Sequence, residues 1–232
     1  MAETKARSTP RAGVRRVRGS GWRRRPGDIA SMKIKSAEFT VSAPDLKSCS
    51  RSPLPEFAFI GRSNVGKSSL INLLAERREL AKVSDMPGKT RLINFFTIND
   101  RWSLVDLPGY GYAEGARKER NQFNVAVADY LEGRKNIYCV FVLIDSRLPP
   151  QPLDLEFVQW LGGCAPPFVL VFTKADKQSA AKTEANIALF KQSLTMQVGA
   201  PLETFVCSSK TRQGRMDILG FIEQMLAKNN RA

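Results

Sequence analysis

Histidine is absent from all 232 residues, and that absence removes whole classes of chemistry. No Ser-His-Asp or Cys-His nucleophile can be assembled, nor any zinc or haem site that needs an imidazole. Cysteine is scarce. Cys49, Cys139, Cys164 and Cys207 lie far apart and make no C-x-x-C pair. Buried thiols in a reducing compartment are expected of them, not a disulfide framework or a four-thiolate zinc site. Long apolar runs are missing too. The longest, Ile137–Ile144, has eight residues, against about 20 for a bilayer-spanning helix. No apolar leader segment is visible near the N-terminus, so a soluble, cytoplasmic protein without a membrane partner is expected. Acidic residues are also in deficit, 22 against 36 Lys+Arg, for a formal charge of +14. Half of that surplus falls in residues 1–31, which hold nine basic and two acidic side chains.

Residues 1–31 read as a separate segment. Arg7, Arg11, Arg15, Arg16, Arg18 and Arg23–Arg25 alternate with Gly, Pro and Ser, and Trp22 is the only aromatic. Such a stretch buries too little apolar surface to offset its ordering entropy, so disorder is expected. It reads either as a basic arm for RNA or another anionic surface, or as a dispensable tail, with Met32 as an alternative start. Pro10, Gly13, Gly19 and Gly21 argue against an amphipathic presequence.

Residues 32–232 are 201 positions of mixed composition, enough for one domain with a sizeable core. Strands are expected at Glu56–Ile60, Leu92–Ile98, Arg101–Val105, Ile137–Ile144, Phe168–Phe172 and about 202–207, with a hairpin turning at Asn99-Asp100. Helices are expected at about 67–78, 118–132, 153–161, 179–197 and 215–228. The continuous apolar runs suit strands covered on both faces. The alternation predicts an α/β fold: a six-stranded, mainly parallel sheet with one antiparallel edge hairpin and helices on both faces. Phe95, Phe96 and Trp102 read as hairpin core, not as a base-stacking platform.

The segment Gly61-Arg62-Ser63-Asn64-Val65-Gly66-Lys67-Ser68 fits G-x-x-x-x-G-K-[ST], with a strand before it and a helix after it. Its backbone N–H groups can form a concave anion seat at a helix N-terminus. Lys67 can reach the β- and γ-phosphates, and the Ser68 hydroxyl can ligate Mg²⁺. About 40 residues on, Asp106-Leu107-Pro108-Gly109 closes an apolar strand. There a carboxylate can hold Mg²⁺ through water, and the Gly109 N–H can meet a γ-phosphate. Thr173-Lys174-Ala175-Asp176 also follows an apolar strand. Asp176 can accept hydrogen bonds from N1–H and the 2-amino group of guanine. Adenine lacks that donor pair, and a mismatch of this kind can cost roughly 10⁴-fold. Cys207-Ser208-Ser209 fits a loop whose N–H groups meet guanine O6. Between the Gly61–Ser68 loop and Asp106 lies Pro87-Gly88-Lys89-Thr90, where the Thr90 hydroxyl can complete a Mg²⁺ shell when a γ-phosphate is present.

Five elements in this order define a P-loop GTPase (G domain). GRSNVGKS at Gly61–Ser68, GKTRLIN at Gly88–Asn94, DLPGYGYA at Asp106–Ala113 and TKAD at Thr173–Asp176 resemble the EngB/YihA/YsxC family of bacterial GTP-binding proteins. The resemblance runs from about Met32 to Lys228, leaving the arm 1–31 outside a G domain at 32–232. It implies a switch in large ribosomal subunit assembly, needed for normal cell division and septation. It also implies Ser68 and Thr90 as Mg²⁺ ligands beside Asp106. Lining residues for GTP or GDP would be Gly61–Ser68, Gly88–Leu92 (with Arg91), Asp106–Gly109, Thr173–Asp176 and Cys207–Ser209. Lys67, Thr90 and Gly109 would act on the reacting phosphate. The implied partners are the large ribosomal subunit or its precursor, engaged by a monomer.

Two details bear on rate. Where Ras-like enzymes carry a water-orienting glutamine after D-x-x-G, this chain has Tyr110, so slow intrinsic hydrolysis is expected. Asn64 stands where potassium-activated relatives help bind K⁺, and it either does so here or only stabilises the loop. Tyr110, Tyr112, Arg117, Lys118 and Arg120 are candidates for a nucleotide-dependent surface toward RNA or protein. The rival readings are a regulatory GTPase acting directly on division proteins, an RNA-binding protein with a structural nucleotide, and a P-loop kinase or ATPase, against which Thr173–Asp176 argues.

Overall fold

The computed structural model describes residues 32–81, 92–111, 117–164, 166–198 and 202–229, with backbone alone for 117–124, 195–198 and 229. In chain order the elements are β1 (Ala37–Ala43), β2 (Glu56–Gly61), α1 (Lys67–Ala75), β3 (Ile93–Ile98) and β4 (Trp102–Asp106). They continue as α2 (Arg117–Gly133), β5 (Ile137–Asp145), α3 (Pro152–Gly162), β6 (Phe168–Thr173), α4 (Ala180–Val198), β7 (Thr204–Val206) and α5 (Arg215–Asn229).

The sheet has seven strands, not the expected six, in the order β1-β3-β4-β2-β5-β6-β7. The added strand is β1, which pairs antiparallel with β3 from Ala37↔Ile98 to Ala43↔Ile93. Its residues alternate weakly, and Phe39 is 57% exposed, so its pattern alone does not announce a strand. The pairing is held from afar. Asn99 accepts from the N–H groups of Lys35 (2.6 Å) and Ser36 (3.1 Å), and its amide donates to the Lys33 carbonyl (2.8 Å). Asn99 and Asp100 both take positive φ, 51° and 52°, as a two-residue hairpin turn of mirror type requires. Helix α1 also ends earlier than expected, at Ala75. Glu76 turns left-handed, and the Asn72 side chain captures Arg78 and Ala81 backbone groups instead of leaving them to a further turn.

Alternation along β2 divides the core in two. Phe57 and Phe59 join Leu70, Ile71, Phe141, Leu219 and Ile222 on the face covered by α1 and α5. Ala58 and Ile60 join Tyr130, Val142, Val158, Phe172 and Phe190 on the face covered by α2, α3 and α4. Strands β5 and β6 are apolar at nearly every position because helices cover both sides. Each buried Phe or Ile contributes about 1.5–3 kcal/mol. Phe95, Phe96 and Trp102 are buried in the hairpin, as expected. The four cysteines are free and buried, and burial pushes the Cys49 and Cys164 thiols up to about 11.

At the sheet edge where β2 begins, Glu56 is buried against Arg134 and Tyr130. The Arg134 Nε lies 3.0 Å from both carboxylate oxygens, and the Tyr130 hydroxyl donates at 2.8 Å. A further Arg134 nitrogen donates to the Ser50 carbonyl at 2.6 Å, fixing the chain before β2. Removing one partner of such a pair strands the other charge. Arg134→Ala is therefore expected to cost about 3–5 kcal/mol in urea unfolding. A double replacement, Arg134→Met with Glu56→Leu, should cost less, and equal losses would argue against this account.

Candidate nucleotide-binding site

The parallel strands all end on one edge, and their registers show how closely. Phe59 in β2 pairs with Asp106 in β4, Gly61 with Leu143 in β5, and Asp145 in β5 with Thr173 in β6. The chain leaves β2 to build β3 and β4 on one side and β5 on the other, so the crevice where α/β proteins bind ligands opens beside β2. Gly61–Ser68, Asp106–Gly109, Thr173–Asp176 and Cys207–Ser209 are thereby gathered at this edge.

The phosphate loop starts where a side chain has no room. A Cβ on Gly61 would sit 2.7 Å from the Leu143 carbonyl oxygen. The loop then turns through Asn64 (φ 60°) and Gly66 (φ 101°), with the Val65 side chain buried in the core as its anchor. Thr173 donates its hydroxyl to the Val65 carbonyl at 2.6 Å, tying the loop to β6. Lys174 adds a second tie, with Nζ 2.5 Å from the Asn64 carbonyl and 3.0 Å from Asp145. Helix α1 begins at Lys67 with no side-chain cap and no acidic residue in its first turn. Its first N–H groups thus face the loop without a competing carboxylate.

Lys67 and Asp106 form a buried ion pair, their side chains 8% and 4% exposed. Phosphate oxygens compete for the ammonium, and a divalent cation or its water for the carboxylate. Among the described residues no cluster of three or more acidic, Cys or His side chains could hold a metal unaided. The donor set of Ser68 hydroxyl and Asp106 carboxylate therefore fits Mg²⁺, which keeps its waters and shares substrate phosphates, better than a metal needing a protein cage.

Past the ends of β6 and β7, the Ser208 hydroxyl donates to Asp176 at 2.7 Å and, with Lys177 and Lys210 nearby, holds its carboxyl below the usual range. The Ser208 N–H is already given to the Gln213 carbonyl at 3.2 Å, and the Cys207 side chain lies in the core. Of Cys207–Ser209, Ser208 therefore acts through its side chain, steadying Asp176. Leu107 and Pro108 are buried supports, and Leu92 is exposed at the entrance to β3. Gly88, Lys89, Thr90, Arg91 and Tyr112 lie outside the described residues, as do the side chains of Arg117, Lys118 and Arg120.

Tyr110 does not face outward as a docking residue would. Its hydroxyl donates to Asp154 at 2.9 Å, and its ring stacks on Phe157 at 4.3 Å. The sequence reading missed Asp154, and also Asp145, which receives both Lys174 and Arg147. Asp145 carried a usable signal: like Asp106, it ends an apolar strand on the site edge.

A strand–loop–helix phosphate seat, a buried Lys–carboxylate pair and the Thr173–Asp176 segment with its Ser208-bonded carboxylate, all on one parallel edge, define a P-loop GTPase. Residues 56–174 match the family model described as "50S ribosome-binding GTPase". A "Probable GTP-binding protein EngB" of Christiangramia forsetii is 50% identical over 83% of this chain and 97% of its own. One of the same name from Bacteroides fragilis is 49% identical over 84% and 96%. The crystal structure of "a probable GTP-binding protein engB" superposes with a TM-score of 0.59 at 23% identity, over 75% of this chain and 99% of that one, which speaks for the fold. The chain belongs to the EngB family of GTP-binding proteins. It binds GTP and GDP and is a GTPase. Among the described residues no helix is long and apolar enough to cross a membrane.

Burial raises the Asp154 carboxyl from 3.8 to about 6. The folded chain thus holds this proton more tightly than the unfolded one. Its stabilising contribution is complete below about pH 4 and is lost as pH rises through about 6. Asp154→Asn should remove that loss, so thermal unfolding of variant and wild type should diverge in the variant's favour from pH 4 to 7. A constant difference would contradict the assignment.

Proposed function

We propose that this protein is a GTP-dependent switch in assembly of the large ribosomal subunit, with consequences for cell division and septation. One observation carries the reading: the strand–loop–helix phosphate seat with its Lys67–Asp106 pair sits in a chain whose family model is described as "50S ribosome-binding GTPase". The formal charge of +14 suits an RNA-rich, anionic partner. Residues 32–232 would be the G domain, with 1–31 appended, acting as a cytoplasmic monomer.

In this reading the N–H groups of Gly61–Ser68 hold the α- and β-phosphates, and Lys67 exchanges Asp106 for β- and γ-phosphate oxygens. Ser68, Thr90 and Asp106 would hold Mg²⁺, which would supply charge neutralisation at the phosphates. Asp176 accepts from guanine N1–H and the 2-amino group, Lys174 lies along the base, and the Ser209 N–H faces O6. The Gly109 N–H meets the γ-phosphate, and Thr90 orders its loop when that phosphate is present. Tyr110 holds no water in line, since its hydroxyl is committed to Asp154. Hydrolysis by the isolated protein is accordingly slow. K⁺ beside the exposed Asn64 would supply part of the missing charge stabilisation. Turnover faster in KCl than in NaCl would bear out that last step, and equal rates would dismiss it.

The role is tested by co-sedimentation with purified ribosomal subunits, comparing a non-hydrolysable GTP analogue, GDP and no nucleotide. Binding to the large subunit with the analogue alone is expected. Equal binding in all three states would leave an RNA-binding protein with a passive nucleotide. No binding at moderate salt would favour a regulatory GTPase with protein targets.

A further inference from the structure

Asp154 presents a puzzle in its own right. It is a carboxylate, 3% exposed, in the first turn of α3. A carboxylate at that place in a helix normally serves the helix, bonding its free N–H groups. Here it crosses to Tyr110, the residue directly after Gly109, accepting from the phenol at 2.9 Å. One turn further along α3, Phe157 lies nearly parallel to the same ring, 15° from coplanar at 4.3 Å. Helix α3 thus grips Tyr110 at both its face and its hydroxyl.

The grip extends to the phosphate loop. Tyr110 pairs with Arg62 in a parallel bridge, its N–H 3.3 Å from the Gly61 carbonyl. Gly109 is pressed so closely that a Cβ there would lie 2.8 Å from the Gly61 oxygen and 3.4 Å from the Ser63 nitrogen. Gly111 is held on the next side, its Cβ position 3.2 Å from Leu153 of α3. Arg62 in turn reaches Gln151, at the start of α3, at 3.5 Å. Three consecutive residues, Gly109 to Gly111, are therefore clamped between the phosphate loop and α3.

The geometry points to Asp154 as a positioning residue: through its hydrogen bond to Tyr110 it holds Gly109 beside the phosphate loop and so raises the affinity for GTP over GDP. The inference rests on the reading that the Gly109 N–H meets the γ-phosphate. GDP lacks that group, so a loosened Gly109 affects GTP alone. The selectivity arises because ordering entropy is met in advance by the clamp instead of at binding. A hydrogen bond to a charged acceptor of this kind is worth roughly tenfold or more in an equilibrium.

The test is a comparison of dissociation constants for a β,γ-imido GTP analogue and for GDP, measured on the full chain with Mg²⁺ present. Tyr110→Phe keeps the ring on Phe157 and removes only the hydroxyl, so folding should survive it. Asp154→Ala removes the acceptor, whereas Asp154→Asn keeps one. Tyr110→Phe and Asp154→Ala should each lower the preference for the analogue over GDP by roughly tenfold, with GDP affinity retained. Their combination should be no worse than either alone, and Asp154→Asn should preserve the preference. A merely structural role would weaken both nucleotides in proportion, and that result, an unchanged ratio or a raised one would overturn the inference. Gly109→Ala separates the two layers. If it abolishes the preference while Tyr110→Phe leaves it intact, the positioning role fails and the reading of Gly109 stands. If Gly109→Ala also leaves the preference intact, both fail.

Discussion

The arrangement turns on two buried charges, Lys67 and Asp106, that face each other at the site edge of the sheet. An isolated charge there would cost several kcal/mol, so each side chain demands a partner of opposite sign. To meet, they require β2 and β4 to lie parallel and adjacent, in the register that sets Phe59 beside Asp106. They also require the chain to leave β2 at Gly61 and re-enter a helix at Lys67 within one short loop. Both groups are what a phosphate and a divalent cation would claim. A pair that satisfies itself while the ligand can satisfy each half separately suits a site that must fill and empty.

The supports around this pair are built to keep the loop from moving. Val65 is anchored in the core, Thr173 and Lys174 hold two loop carbonyls, and Asp145 steadies Lys174. At the far end Ser208 steadies Asp176, and on the opposite flank α3 holds Tyr110. Asp145, Thr173, Lys174 and Ser208 lie at or just past the ends of β5, β6 and β7, and they meet because parallel strands finish on the same edge. The Glu56–Arg134–Tyr130 cluster does the corresponding work at the other end of β2, fixing where the central strand begins.

Much of this was legible in the sequence because apolar runs and phosphate-binding spacing are local signals. The runs at 137–144 and 168–172 could only be strands covered on both faces, and the motif after each of the site strands then had to fall on one edge. What was hidden depends on residues far apart in the chain. The chain entering β1 is held at Lys35 and Ser36 by Asn99, more than sixty residues away in the sequence. The early end of α1 follows from Asn72 folding back on Ala81. Tyr110 read as a surface residue because nothing within ten positions could bury it, and Asp154 and Phe157 lie more than forty residues on.

The most direct measurement is a crystal structure of this protein with Mg²⁺ and a non-hydrolysable GTP analogue. Lys67 is expected on the β- and γ-phosphate oxygens instead of Asp106, Ser68 on the metal, and Asp176 facing guanine N1 and the 2-amino group. An intact Lys67–Asp106 pair with the nucleotide bound elsewhere would contradict this placement.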